Sequence, residues 1–148
     1  EVAEAGGEFV DGGIVGSPPR EPGTTRLYLS GERAAAVAEL FAGSALDARV
    51  VSNASAVKMA YAAWTKGTAA MLLAIRELAR REGVEDTLLA EWDLSVPELR
   101  ERYERARRSA EAKGWRWVGE MEEIAATFEA DGLPGGFHRG AAEVYRSR

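Results

Sequence analysis

One lysine stands out in an alanine-rich, helix-forming stretch of the sequence. Lys58 follows Ser52 and Asn53, either of which can cap the start of a helix, so Lys58 falls in the second turn. Tyr61 and Thr65 come three and seven residues later and share a helix face with the lysine. Neighbours of such modest polarity can desolvate an amine, which favours its neutral form and suits it to proton transfer. The spacing alone is equally compatible with a solvated surface lysine.

The elements before this helix are predicted to alternate between strands and a helix. Residues 9–19 indicate a short buried strand that ends in a Gly/Pro-rich turn, and residues 25–30 indicate a second strand. Residues 32–41 carry apolar side chains at helical spacing, and residues 47–52 form a strand that runs directly into the lysine helix.

From Asn53 onward the pattern is helical. The first helix is predicted to end near Gly83 after roughly 30 residues, or about 45 Å at 1.5 Å per residue. A second helix is expected over residues 86–92, and a third begins near Ser95, a candidate cap. The third helix carries acid–base pairs at i,i+4 that are typical of a solvated face: Glu98/Arg102, Glu101/Arg105 and Glu104/Arg108.

Three segments carry a resemblance to a known family: residues 11–16, 58–67 and 115–123. They resemble the β-hydroxyacid dehydrogenases, which include the 6-phosphogluconate and 3-hydroxyisobutyrate dehydrogenases, and in particular the C-terminal domain of a phosphogluconate-dehydrogenase-like branch. The resemblance covers nearly the whole chain. It implies a mainly α fold: residues 53–148 as an all-helical substrate and dimerisation domain, preceded in residues 1–52 by the last strands and helix of a Rossmann-type α/β domain.

The resemblance also implies roles for individual residues. Lys58 corresponds to the general acid/base in the interdomain cleft, and the Gly16-Ser17 turn corresponds to a substrate-binding loop. Tyr61 and Thr65 are then expected to face the substrate. The chain departs from the family in this region, since Val15 replaces a serine and Ala62 an asparagine.

Two further segments match the family less fully. Phe137-His138-Arg139 resembles a C-terminal tail whose histidine reaches the substrate site of the partner subunit. Glu120 corresponds to the acid of a Lys-Asp pair that approaches the nicotinamide, and Gly119 stands where that lysine would be. As the single histidine of the chain, His138 is on its own more typical of a packed structural residue than of a metal ligand, and we expect no metal.

The resemblance implies an NAD(P)-dependent oxidoreductase that acts on a small hydroxy acid. Decarboxylation of 6-phosphogluconate is not expected, because Tyr61 and Thr65 replace the histidine and the acid of those enzymes. An imine reductase-like enzyme is one alternative, and a catalytically silent helical dimerisation module is another. The sequence identifies neither the substrate nor the choice between NAD and NADP.

The glycine pattern bears on where the cofactor would bind. A dinucleotide site needs a Gly-rich loop between a strand and a helix, and no Gly-x-Gly-x-x-Gly follows a strand here. Since the sequence begins with Glu1 rather than Met, we expect it to be a piece of a longer protein whose upstream half holds NAD or NADP.

Composition narrows the class of protein further. A net charge of -5 with arginines interleaved with glutamates disfavours nucleic acid as a partner, and no apolar run approaches the ~20 residues that span a bilayer. The absence of cysteine excludes disulfides and thiolate chemistry and is compatible with the cytoplasmic location that we predict. Apolar residues at Met71, Leu72, Leu73, Trp92 and Trp117 exceed what a small helical core needs, so a homodimer is expected.

Overall fold

A computed structural model describes residues 7–147. The chain divides into two compact units, residues 1–61 and residues 62–148. The elements in chain order are β1 (Asp11–Gly16), β2 (Thr25–Ser30), α1 (Ala34–Glu39), β3 (Leu46–Val50), α2 (Ala54–Arg81), α3 (Glu85–Ser95), α4 (Glu98–Ala130) and α5 (Gly136–Arg146). This mainly α architecture, with a small sheet at its N-terminal end, confirms the predicted fold class.

Strand β2 is the central strand of the sheet in the first unit. β1 pairs with it antiparallel, from Asp11 opposite Ser30 to Gly16 opposite Thr25. β3 pairs with it in parallel, which requires the crossover that α1 provides. Leu27 and Leu29 of β2 are buried together with Ala34 of α1, so the inward face of β2 anchors this core.

The predicted strands and first helix are present with shifted ends. β2 has the predicted bounds, whereas β1 begins two residues later than expected because Phe9 and Val10 lie outside it. α1 is shorter than predicted at both ends, and β3 runs one to two residues earlier than expected. The ends of short elements fray, so such shifts leave the topology unchanged.

Helix α2 begins and ends as its sequence predicts. The Asn53 side-chain oxygen accepts a hydrogen bond from the Ala56 N–H at 2.8 Å, which makes Asn53 the cap. At the other end Gly83 has φ +70°, and the Val84 N–H donates to the Ala79 carbonyl at 2.9 Å. This 6→1 hydrogen bond is that of a Schellman motif, which explains why the helix stops at this glycine.

The remaining helices differ from the prediction at one junction. Ser95 is not the cap of the third helix: it is the last residue of α3, and its hydroxyl donates to the Glu91 carbonyl at 2.8 Å. α4 then continues for 33 residues, so the predicted third helix and the segment beginning at Trp115 are one element. α4 packs against α5, and its Met121 and Ile124 are fully buried.

The structure does not test the predicted domain boundary. The predicted boundary between residues 52 and 53 separates domains of a larger protein and stays a prediction. Within this chain α2 is continuous across Tyr61 and Ala62, where the two compact units meet in sequence.

Candidate functional site

The start of α2 is tied to the sheet by two side chains. Both Asp11 side-chain oxygens accept from Ser55, one from its N–H and one from its hydroxyl, each at 2.9 Å. The Ser30 hydroxyl accepts from the Ala54 N–H at 3.0 Å and donates to Asp11 at 3.3 Å. Donation from Ser55 lowers the pKa of Asp11, so this carboxylate stays ionised at the positive end of the helix dipole. The first N–H groups of α2 are therefore satisfied within the first unit.

Lys58 is positioned by a close approach of α2 to β1. A methyl group placed on Gly13 would lie 2.9 Å from the Ala54 carbonyl oxygen and 3.1 Å from the Lys58 Cβ. Only glycine allows this approach, and Gly13 is buried under the helix as a result. The Lys58 side chain thus begins beside the strand and is exposed to solvent.

The predicted substrate loop follows the same strand. Gly16 has φ +121°, and a Cβ there would lie 2.3 Å from the Thr24 carbonyl oxygen, so the turn requires glycine. The Thr25 hydroxyl donates to the Ser17 carbonyl, which fixes the turn while the Ser17 side chain stays exposed. Ser17 lies four residues beyond Gly13, or about 13 Å along an extended chain. The structure thus places Gly13, rather than the loop, next to the start of the Lys58 side chain.

Tyr61 and Thr65 keep the predicted spacing from Lys58 along α2. The Tyr61 side chain is half exposed. Thr65 is part-buried, and its hydroxyl is 3.5 Å from the Ala62 carbonyl oxygen. Their expected contact with substrate stays a prediction.

Glu120, expected to approach the cofactor, forms an ion pair with Lys66. Their side chains are only 27% and 22% exposed. The Lys66 ammonium lies 5.8 Å from the centre of the Trp117 ring, and the Tyr145 hydroxyl donates to the Lys66 carbonyl at 2.5 Å. Trp117 and Tyr145 pack edge to face at 5.1 Å. Sequence reasoning missed this cluster because its members come from three helices and no local spacing connects them.

His138 is buried within the second unit. Its ring centre lies 4.5 Å from that of Phe128, and a Cβ on Gly67 would lie 3.7 Å from the imidazole. Burial lowers the pKa of His138, and its Nδ1 has no hydrogen-bond partner among residues 7–147. The neighbouring Arg139 donates to Glu129 at 2.8 Å, whereas Phe137 is 75% exposed. The role of His138 in a partner's substrate site stays a prediction.

The predicted ion pairs along α4 form only in part. Arg105 and Glu101 are 3.8 Å apart, but Glu104 pairs with Arg107 at 3.2 Å rather than with Arg108. In the described part of the chain, Arg102 has no ion pair with Glu98 or with another acid. A second acid, Glu111, also holds Arg107 at 2.7 Å, and this leaves the Arg102 side chain available at the surface.

Two classes of site find no support in the described residues. No group of three or more His, Asp or Glu side chains within residues 7–147 is placed to hold a metal ion. Although α2 and α4 are long, neither they nor the other described helices contain a stretch apolar enough to cross a bilayer.

The second unit matches a described domain, and the chain as a whole matches two solved structures. Residues 79–147 match the model of a domain of unknown function, DUF1932. The crystal structure of a conserved hypothetical protein from Sinorhizobium meliloti 1021 is 28% identical, with a TM-score of 0.78 over 95% of this chain and 49% of that chain. The conserved protein MTH1747, described as structurally similar to 3-hydroxyacid dehydrogenases, is 27% identical, with a TM-score of 0.72 over 95% of this chain and 56% of that chain.

These similarities confirm the predicted family in its general form. The chain has the fold of a protein described as similar to 3-hydroxyacid dehydrogenases, and it spans about half the length of the structures that it matches. No protein with a curated description matches it.

Proposed function

We propose that this chain is the C-terminal half of an NAD(P)-dependent oxidoreductase of the β-hydroxyacid dehydrogenase type, with Lys58 as the general acid/base for a small hydroxy acid. The observation that carries the proposal is the contact between Gly13 and α2, which sets the exposed Lys58 beside the strand that leads to the Gly16-Ser17 turn. The similarity to MTH1747, over 95% of this chain, supports the reaction class.

The chemistry assigned to Lys58 is a proton transfer. Oxidation of a hydroxyl to a carbonyl releases a proton, which a neutral amine within hydrogen-bond reach accepts. In the reverse direction the protonated amine polarises the carbonyl and returns the proton. A nicotinamide, when bound, supplies the hydride acceptor. Backbone N–H groups and the hydroxyl of Ser17 would hold an anionic group of the substrate, although Pro18 contributes no N–H donor.

The described residues do not fit the dinucleotide itself. The pyrophosphate needs free N–H groups at a helix start, and those of Ala54, Ser55 and Ala56 are already bonded to Ser30, Asp11 and Asn53. We therefore assign NAD or NADP to another part of a longer protein, and assign to this chain only the residues that act on the substrate.

An imine reductase-like activity is the second candidate. Tyr61 favours it, because a phenol on the Lys58 face can donate a proton to a substrate nitrogen. A helical module without activity is the remaining alternative, for which no side chain of α2 would need to act chemically.

A substrate panel separates these candidates. The full-length protein that contains this chain is supplied with hydroxy acids and NAD⁺ or NADP⁺, and in parallel with cyclic imines and the reduced cofactors, while nicotinamide absorbance is followed. Turnover of a hydroxy acid supports the proposal, and turnover of imines alone supports the second candidate. No turnover in either arm contradicts both and favours the silent module.

We also propose a homodimer, although on different residues from those the sequence suggested. Leu73 and Trp92 are buried within their own chain, so they do not call for a partner. Leu94, Trp115 and Phe137 are instead 84%, 77% and 75% exposed. Burying large apolar side chains of this kind is a common basis for association, and Phe137 belongs to the tail expected to reach a partner.

A further inference from the structure

A cleft of about 660 Å³ lies between α2 and α4 within the second unit. Most of its lining is apolar and comes from both helices. The main contributors are Met71, Leu72, Ile75, Leu99, Ala106 and Trp117. Pockets of roughly 300–1,000 Å³ with such linings are the usual size for small-molecule sites.

Side-chain contacts connect the two helices beyond either end of the cleft. At one end Lys66 of α2 pairs with Glu120 of α4. At the other, the Arg76 guanidinium lies 4.1 Å from the centre of the Tyr103 ring and donates to Glu85 at 2.9 Å. The helices are antiparallel, since residue numbers rise along α2 as they fall along α4. Small side chains between these contacts, among them Ala69, Ala106 and Ser109, leave the space open.

The rim of the cleft is positively charged. Arg102 and Arg105 line it one turn apart on α4, and no acidic residue lines it. Arg102 has no ion pair among residues 7–147, and Arg105 has only the 3.8 Å contact with Glu101. The chain as a whole has a net charge of -5, so this cationic rim is a local feature. Guanidinium groups match carboxylates in geometry as well as in charge.

We propose that this cleft binds a small organic acid with an apolar body, such as an alkyl carboxylate. Its carboxylate would lie on Arg102 and Arg105, and its apolar part against Met71, Ile75 and Trp117. Charge complementarity favours this occupant over a second copy of the chain. The acids that α2 and α3 of a second copy would offer are already paired internally, Glu77 with Arg80 and Arg81, Glu85 with Arg76, and Asp93 with Arg100.

The test uses decanoate as the probe, with decanol and decyltrimethylammonium as its uncharged and cationic counterparts. Binding to the 148-residue chain is followed by calorimetry and by the fluorescence of Trp64 and Trp117, which line the cleft. We expect saturable binding of decanoate that is at least about tenfold tighter than that of the cationic probe. The double variant R102Q/R105Q should weaken decanoate by about tenfold or more and leave decanol unchanged.

The matched control is R108Q/R116Q, which removes two exposed arginines of the same helix that lie outside the cleft lining. It should change decanoate affinity by less than about twofold. Filling the cleft with Ser109→Phe should abolish binding, whereas Ala112→Phe, at an exposed position of α4 outside the lining, should not. Circular dichroism of all variants checks that they fold.

Three results would overturn the proposal. One is decanoate affinity that is equal in R102Q/R105Q and in the control variant. Another is equal binding of the anionic and cationic probes, which would mean unspecific adsorption to an apolar surface. The third is light scattering that shows a dimer dissociated by Ser109→Phe together with no decanoate binding, which would mean that a second copy fills the cleft.

Discussion

At the scale of single residues, Lys58 and Lys66 differ in their surroundings although they lie on one helix. Lys58 is exposed beside Gly13, whereas Lys66 is paired with Glu120 and lies near Trp117. A substitution at Lys66 would therefore disturb packing in the second unit, so Lys66 cannot be the neutral comparison that its spacing suggested. Lys113, exposed on α4, is the better control.

Gly13 gives the most local test of how Lys58 is positioned. Gly13→Ala would bring a methyl group to 2.9 Å from the Ala54 carbonyl oxygen, a backbone atom that cannot turn away. We expect a loss of unfolding free energy of ~1–3 kcal/mol in urea denaturation. The control is Gly12→Ala, whose methyl group would contact Leu29 at an ordinary 3.5 Å and should change stability by about 0.5 kcal/mol or less. Equal effects of the two variants would contradict the close approach.

His138 makes stability depend on pH in a defined direction. Because burial lowers the pKa of His138 in the fold, the unfolded chain takes up this proton at a higher pH than the folded chain does. The resulting stability is present above the unfolded pKa of about 6.5 and is lost as the pH falls through the folded pKa. His138→Phe should flatten the pH dependence of the urea midpoint just below about pH 6.5. An unchanged slope would show that the ring is solvated in the fold.

At the scale of elements, local signals predicted what local physics determines. The bounds of β2 and the Asn53 and Gly83 ends of α2 follow from residues close in sequence, and the structure confirms them. Ser95 was predicted wrongly as a cap, because α3 continues through it and its hydroxyl bonds back to Glu91. For the site, the sequence could propose Lys58 from its helix, but Gly13 as its neighbour and the Lys66–Glu120 pair depend on contacts distant in sequence.

The start of α2 leads to a prediction about cofactor binding. Its first N–H groups are satisfied by Ser30, Asp11 and Asn53, so they are not free for a pyrophosphate. Calorimetric titration of this 148-residue chain with NAD(H) or NADP(H) should therefore give no measurable heat of binding. Micromolar affinity for either dinucleotide would contradict the assignment of the cofactor to another part of a longer protein.

At the scale of the whole molecule, the exposed apolar side chains of the second unit predict self-association. Light scattering at tens of micromolar should give the mass of a dimer, and a variant with both Trp115→Ser and Phe137→Ser should shift the population towards monomer. The control is Leu40→Ser, which removes an equally exposed apolar side chain from the first unit and should leave the dimer intact. A stable monomer of the unmodified chain would contradict the proposed dimer.

The central claim is that Lys58 transfers the proton in a dehydrogenase built from this chain and the rest of a longer protein. The most direct test is steady-state turnover of Lys58→Met in the full-length protein on the substrate identified by the panel. Methionine keeps the helix and most of the volume but removes the proton acceptor, and loss of general acid/base catalysis costs ~10²–10⁴ in rate. We predict a fall of that size with unchanged cofactor affinity, and near-normal turnover for the control Lys113→Met. Near-wild-type turnover of Lys58→Met would contradict the claim and make Lys58 an ordinary solvated lysine.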